Sequence, residues 1–66
     1  MTIIVNGESK EIAQGTTIAK LIDSLGVKVQ VMVAAVNMEI VKKDKWDTHI
    51  LNENDKVELL HFVGGG

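Results

Sequence analysis

Apolar and polar residues alternate at the start of the chain and then change to a helical spacing. Segment 1–6 is rich in β-branched residues, which is typical of a strand, and it places Ile3 and Val5 on one face. The dipeptide Asn6-Gly7 that follows is a strong signal for a tight hairpin turn. A second strand is predicted over 9–13, so the chain begins with a β-hairpin.

A helix is predicted after the hairpin. Gly15 interrupts the strand pattern, and the threonine at position 16 or 17 offers a hydroxyl that would cap a helix. The next apolar residues recur at i, i+3, i+4 and i+7, the spacing of one helical face; they are Ile18, Leu21, Ile22 and Leu25. Gly26 stands where a residue with positive φ would end the helix. The pattern predicts about three turns over 17–25.

The second half of the chain is mostly strand. Segment 29–36 is apolar throughout, which predicts a third strand covered on both faces. A turn at Asn37-Met38 leads to a short fourth strand over 39–41. Segment 42–54 is irregular, and its predicted anchors in the core are Trp46 and Ile50.

The last strand is predicted over 56–63, after the turn-forming run 52–55. Alternation along this strand separates two faces. One face carries Val57, Leu59 and His61, and the other carries Glu58, Leu60 and Phe62.

The first and last strands are too apolar to lie at exposed sheet edges, where they would invite aggregation. Placing them side by side and parallel at the centre, with the helix across one face, removes that hazard. The element order therefore predicts an α+β chain with the β-grasp fold, a mixed sheet of about four or five strands and one main helix. The predicted core is Ile3, Val5, Ile18, Leu21, Ile22, Leu25, Val57 and Leu59.

Composition restricts the function. A chain of 66 residues forms one domain, here 1–63 with a glycine tail over 64–66. The absence of cysteine excludes a disulfide framework, a thiolate zinc site and a cysteine nucleophile. The net charge of −2 does not indicate nucleic-acid binding. The N-terminus does not read as a signal peptide, and the longest apolar run, 31–36, is too short to span a membrane. We expect a cytoplasmic protein without membrane association, monomeric when free.

The tail Gly64, Gly65 and Gly66 is the least expected feature, since at about 7% glycine such a triplet arises at a given place in about one chain in 3,000. A segment without Cβ atoms enters a narrow slot, and its terminal carboxylate is open to an enzyme. Just before it, Leu60 and Phe62 share a face with Glu58, which favours exposure. The predicted docking residues for a partner are therefore Leu60, Phe62 and Val63.

Catalytic machinery is not legible in the sequence. His49 and His61 have no acidic neighbour at ligand spacing, and no phosphate loop, metal motif or nucleophile signature is present. We expect a protein that binds no cofactor itself and acts as a co-substrate rather than as a catalyst.

Four segments resemble the ThiS family of ubiquitin-like sulfur carriers and together span nearly the whole chain. They read Ile-Val-Asn-Gly at 4–7, Val-Asn-Met-Glu-Ile-Val at 36–41, Asn-Asp-Lys-Val-Glu at 54–58 and His-Phe-Val-Gly-Gly-Gly at 61–66. One position departs from the family pattern, because Met38 stands where the family usually has glycine. A type I′ turn needs positive φ at both central residues, which costs more for methionine.

The resemblance implies a mechanism centred on Gly66. A ubiquitin-activating-like adenylyltransferase of the ThiF type would use ATP to convert the Gly66 carboxylate into an acyl-adenylate. A persulfide would then donate sulfur and leave a thiocarboxylate, which a thiazole synthase of the ThiG type would receive in thiamine biosynthesis. Gly64 and Gly65 would give the tail reach and thinness, since three extended residues span about 10 Å.

Three alternatives stay open. The chain resembles the small subunit of molybdopterin synthase less well, because those chains are usually longer and approach the terminal glycines through a proline, which this sequence lacks. A carrier for cysteine or transfer-RNA thiolation is the second alternative. The third is an interaction module whose tail is inert.

Overall fold

In a computed structural model of the protein, residues 1–26 and 31–61 are described. These residues form β1 (Thr2–Val5), β2 (Glu8–Glu11), α1 (Ile18–Ser24), β3 (Val31–Val36), β4 (Glu39–Val41), a 3₁₀ turn (Lys43–Lys45) and β5 (Lys56–His61). The strands form one mixed sheet of five in the order β2-β1-β5-β3-β4. Residues 29–30 of the predicted third strand and residues 62–63 of the predicted last strand lie outside the described ranges.

The two terminal strands are neighbours within the sheet, as the sequence predicts. β1 and β5 run parallel, with Ile4 opposite Lys56 and Val5 opposite Val57. On its other side β5 pairs antiparallel with β3. The most apolar strands therefore occupy protected positions, and the edge strand β2 carries the polar sequence Glu-Ser-Lys-Glu.

Helix α1 is capped by Thr17, one of the two threonines that the sequence offers for this role. The Thr17 hydroxyl accepts a hydrogen bond from the Lys20 amide at 3.2 Å, and Gly26 follows the helix with φ +118°. The helix is shorter than predicted, at seven residues or about two turns. Among the helices of residues 1–26 and 31–61, none has both the length and the apolar character needed to cross a bilayer.

The core lies between α1 and one face of the sheet. Six of the predicted core residues are buried there, namely Ile3, Val5, Ile18, Leu21, Val57 and Leu59. Ile22 and Leu25 lie at its margin, partly buried and packed against it. Val31, Ala34, Val36 and Leu51 complete the cluster.

The prediction that β3 is covered on both faces is wrong. Val31, Ala34 and Val36 face the core, but Met32 is 57% exposed and Val33 and Ala35 are only half-buried. The single helix covers one side of the sheet, and none of the described residues forms a second layer. The continuous apolar run at 31–36 therefore belongs to a strand that has one face buried and the other partly exposed.

Ile50 is also wrongly predicted as an anchor of the irregular segment. Its side chain is 54% exposed, whereas that of Leu51 is 1% exposed and belongs to the core. The Leu51 amide donates to the Thr16 carbonyl at 2.8 Å, which fixes this side chain inward. Trp46 is partly buried against the core, as predicted, and its indole N–H donates to the Val41 carbonyl at 2.8 Å.

Both hairpin turns adopt positive φ at their two central residues. The values are 48° and 86° at Asn6 and Gly7, and 51° and 71° at Asn37 and Met38. The second turn keeps this geometry although methionine replaces the glycine that such a turn favours.

We expect Leu51→Ala to cost about 2–5 kcal/mol of unfolding free energy, because it opens a cavity in a closed core. The neighbouring change Ile50→Ala provides the matched control and should cost less than about 1 kcal/mol. Urea titrations of both variants measure the difference. A larger loss in Ile50→Ala than in Leu51→Ala would show that the inward and outward directions of this segment are reversed.

We expect Met38→Gly to raise the unfolding free energy by about 0.5–1 kcal/mol. A non-glycine residue at positive φ is strained, and the Met38 side chain is 94% exposed, so its removal loses no packing. Thermal and urea midpoints report the change. A lower midpoint in the glycine variant would contradict the strain assigned to this turn.

Candidate functional site

The candidate site is the end of β5 and the surface beside it, because β5 leads into the glycine tail. Leu60 is 64% exposed, which confirms the exposure predicted for it. The other predicted site residues lie outside the described ranges; they are Phe62, Val63, Gly64, Gly65 and Gly66. The side chain of His61 is not described either, although its backbone pairs with Val31 at the end of the sheet.

Leu60 belongs to a larger apolar surface on the side of the sheet opposite α1. We call this surface the outer apolar face; it comprises Ile4, Val33, Ala35, Ile40 and Leu60. The pairing register sets Leu60 opposite Val33, and Ala35 opposite Ile40, whereas Ile4 lies on the same side of the sheet opposite Lys56. Ile40 is 72% exposed, and the exposed Met32 adjoins this surface at a bulge in β3.

The outer apolar face is a candidate interaction surface. Contiguous exposed apolar side chains are uncommon on isolated soluble proteins and mark places where a partner binds. Two exposed members of this region, Met32 and Ile40, were not predicted as site residues. Alternation along β4 places the Ile40 side chain on the opposite side of the sheet from those of Glu39 and Val41. Only the pairing of Ile40 with Ala35 of β3 shows that this is the side away from α1.

Beside this face, an asparagine side chain supports β5. The Asn6 carboxamide oxygen accepts a hydrogen bond from the Leu59 amide at 2.8 Å. The Asn6 carboxamide nitrogen donates to the Leu59 carbonyl at 3.2 Å. Both backbone groups of Leu59 on this edge of the strand are thereby satisfied by a side chain from the β1–β2 turn.

A second asparagine supports the start of β5. The Asn37 amide donates to the Lys56 carbonyl at 2.7 Å, and the Lys56 amide donates to the Asn37 side-chain oxygen at 3.0 Å. The Asn37 side chain also donates to Asp55 at 2.9 Å. Asp55 is buried, and its second oxygen accepts from the Asn52 amide at 2.8 Å. These contacts fix the entry of β5 as the Asn6 contacts fix its later part.

The start of α1, where many proteins bind anions, is occupied by the protein itself. The Ile18 amide donates to the His49 carbonyl and the Ala19 amide to the Trp46 carbonyl, each at 3.1 Å. The Lys20 amide is taken by the Thr17 cap. Among the residues that the structure describes, no group of three or more metal-ligating side chains is found. The described site is thus a surface and a strand end rather than a catalytic constellation.

Comparison with known proteins identifies the family. The sequence model of the ThiS family matches residues 3–66, which include the whole glycine tail. The chain belongs to the ThiS family. The resemblance seen in the four sequence segments is confirmed.

A solved structure of this family supports the fold. The crystal structure of the thiamine biosynthesis protein ThiS from Geobacter metallireducens matches this chain with a TM-score of 0.78 at 28% sequence identity. Each chain is covered completely by the other. With five strands in this order and one helix across the sheet, the β-grasp prediction is confirmed.

The curated relatives include sulfur carriers and much longer thiazole synthases. The sulfur carrier protein ThiS of Escherichia coli (strain K12) is 29% identical over 66 residues, which is the full length of both chains. The thiazole synthases of Paramagnetospirillum magneticum and Magnetococcus marinus are each 33% identical over the same 66 residues. This chain spans only 20% of the length of each thiazole synthase.

Proposed function

We propose that this chain is the sulfur carrier of thiamine thiazole biosynthesis and that Gly66, as the last residue of the mature protein, carries the sulfur. The observation that supports this most directly is the family match, which runs through the glycine tail to residue 66. The full-length relative from Escherichia coli is named a sulfur carrier. We expect the protein to work in the cytoplasm, beside the enzymes that use ATP.

The chemistry begins with a carboxylate that needs activation. A terminal carboxyl group has an ordinary pKa of about 3.3–3.7, so Gly66 would be ionised and unreactive toward nucleophiles at neutral pH. In the proposed reaction, one of its oxygens attacks the α-phosphorus of ATP and pyrophosphate leaves. The product is an acyl-adenylate, in which AMP is a good leaving group.

Sulfur then replaces AMP. The terminal sulfur of a persulfide attacks the acyl carbon, a carbon–sulfur bond forms and AMP departs. A second thiol then attacks the donor's sulfur in this acyl disulfide. A disulfide forms between that thiol and the donor, and the electron pair of the broken sulfur–sulfur bond leaves with the Gly66 thiocarboxylate. The chain supplies a reacting group and a docking body, while ATP, the persulfide and the catalytic residues belong to its partners.

We assign the outer apolar face to the first of these partners, a ThiF-type adenylyltransferase. The face adjoins the strand that leads into the tail, so a body bound there would direct residues 62–66 toward the same enzyme. The thinness of Gly64 and Gly65 then admits the carboxylate to a narrow site. Phe62 and Val63 would extend this docking surface.

We propose a ThiG-type thiazole synthase as the acceptor of the sulfur. Two relatives named thiazole synthase contain a segment similar to this whole chain within one longer polypeptide. Joining a carrier to its acceptor raises their effective concentration, which favours a transfer that otherwise depends on encounter.

We expect the chain to gain sulfur at Gly66 when it is incubated with the cognate adenylyltransferase, ATP and a persulfide donor. Intact mass should show one carboxylate oxygen exchanged for sulfur.

Adding one residue after Gly66 should abolish the exchange without changing the thermal midpoint, because the reacting carboxylate moves. Gly65→Val should do the same, since its branched Cβ obstructs a narrow slot.

Normal thiolation of either tail variant would refute the narrow-slot argument. If the unmodified chain gains no sulfur with any cognate adenylyltransferase, the carrier function itself is wrong. An interaction module with an inert tail would then be the better description.

We expect Leu60→Asp to weaken binding to the adenylyltransferase at least tenfold while leaving the fold intact. The change places a charge in the middle of an apolar contact, where it is desolvated without a partner. Calorimetric titration and circular dichroism provide the two measurements. Gln14→Glu is the matched control, because it adds the same charge in the exposed loop before α1.

Unaltered affinity of the Leu60→Asp chain would exclude the outer apolar face as the docking surface. Unfolding of this variant, with Gln14→Glu folded, would show that Leu60 supports the core instead.

A further inference from the structure

The two edges of β5 are supported very differently. Along the β3 edge, paired residues run from Val36 opposite Val57 to Val31 opposite His61. Along the β1 edge, the strand pairing ends at Val5 opposite Val57. The Asn6 amide makes the last backbone hydrogen bond on this edge, to the Val57 carbonyl at 2.9 Å. The chain then turns away through Gly7 into β2.

The Asn6 side chain continues the edge that its backbone leaves. Its carboxamide presents one acceptor and one donor to Leu59, at 2.8 and 3.2 Å, in the way that a strand residue would. Asn6 has φ +48°, a conformation in which asparagine is better tolerated than most residues. Among the described residues, this is the last hydrogen-bonded contact on the β1 edge before the tail.

We propose that Asn6 is a positioning residue for the C-terminal tail: its two hydrogen bonds to the Leu59 backbone fix the direction in which β5 delivers residues 62–66 to a partner. This inference rests on the proposed function, in which the Gly66 carboxylate must enter an enzyme bound to the body of the domain. Gly66 lies seven positions beyond Leu59. The direction of β5 at Leu59 therefore sets the course on which the strand approaches the tail.

The two hydrogen bonds require an amide of this length. An aspartate at position 6 would still accept from the Leu59 amide, but it would set a carboxylate oxygen against the Leu59 carbonyl. Glycine would keep the positive φ and lose both contacts. Asn6→Gly therefore removes the carboxamide without adding strain to the turn, and Asn6→Asp removes only the hydrogen-bond donor.

Asn37 offers a matched control. It occupies the equivalent place in the other hairpin turn, with φ +51°, and its side chain also accepts from the β5 backbone. Its contact is at Lys56, the first residue of the strand, which lies three residues farther from the tail than Leu59 does. Asn37→Gly also removes the bond to the buried Asp55, so a purely structural role would give it a loss of activity at least as large as that of Asn6→Gly.

The test compares Asn6→Gly, Asn6→Asp and Asn37→Gly with the unmodified chain as substrates of the cognate adenylyltransferase. Formation of pyrophosphate is followed at a temperature where all the chains are folded. We expect both Asn6 variants to lower kcat about tenfold with KM within about twofold, because docking is retained and placement of the carboxylate is lost. Asn37→Gly should leave both constants within about twofold.

A measurement without any enzyme examines the contact directly. Amide hydrogen exchange should accelerate at Leu59 at least tenfold in Asn6→Gly and leave Val36 at its unmodified rate. An unchanged rate at Leu59 would overturn the contact. A kcat that falls equally in Asn37→Gly, or a fall confined to KM, would overturn the positioning role. If the unmodified chain forms no pyrophosphate while Leu59 exchange responds as expected, the proposed function has failed and the contact stands.

Discussion

The structure depends on one requirement: the final strand β5 needs hydrogen-bond partners along both edges, and they come from segments distant in the sequence. β3 supplies one edge from Val57 to His61. The N-terminal strand β1 supplies the other for only two paired residues, Ile4 and Val5. Asn6 extends that edge with its side chain, and Asn37 fixes the opposite edge at Lys56. Because unpaired backbone groups inside a sheet are costly, these side chains allow β1 and β3 to turn early without leaving β5 unsupported.

The same strand serves two surfaces. Val57 and Leu59 face α1 and are buried, while Glu58 and Leu60 face outward and are exposed. The single helix can cover only one side of the sheet, so the outer apolar face adds little to the stability of the isolated domain. Its apolar area is available for association instead, since burial in a complex removes it from water. The residues of β5 that stabilise the core are therefore different from those that we propose for docking.

Much of this fold could be predicted from the sequence, because local signals agreed with the tertiary arrangement. The Asn6-Gly7 turn, the Thr17 cap and the alternation along β5 each depend on neighbouring residues alone. The exposure of β3 could not be predicted, because a continuous apolar run has the same pattern whether its second face meets a helix or solvent. Leu51 was missed because an irregular segment has no period from which its direction follows. The contact from Asn6 to Leu59 joins residues 53 positions apart, and no local pattern encodes it.

The two asparagines also bear on the register of β5. Since side chains alternate along a strand, a slip of one residue would carry Glu58 and Leu60 into the core and expose Val57 and Leu59. Burial already opposes that slip, and the hydrogen bonds at Lys56 and Leu59 oppose it a second time through the backbone itself. The register also determines which side chains of β5 face away from α1. The proposed reaction at Gly66 requires a defined register for the strand that precedes the tail, and turn residues remote from that strand in sequence contribute to it.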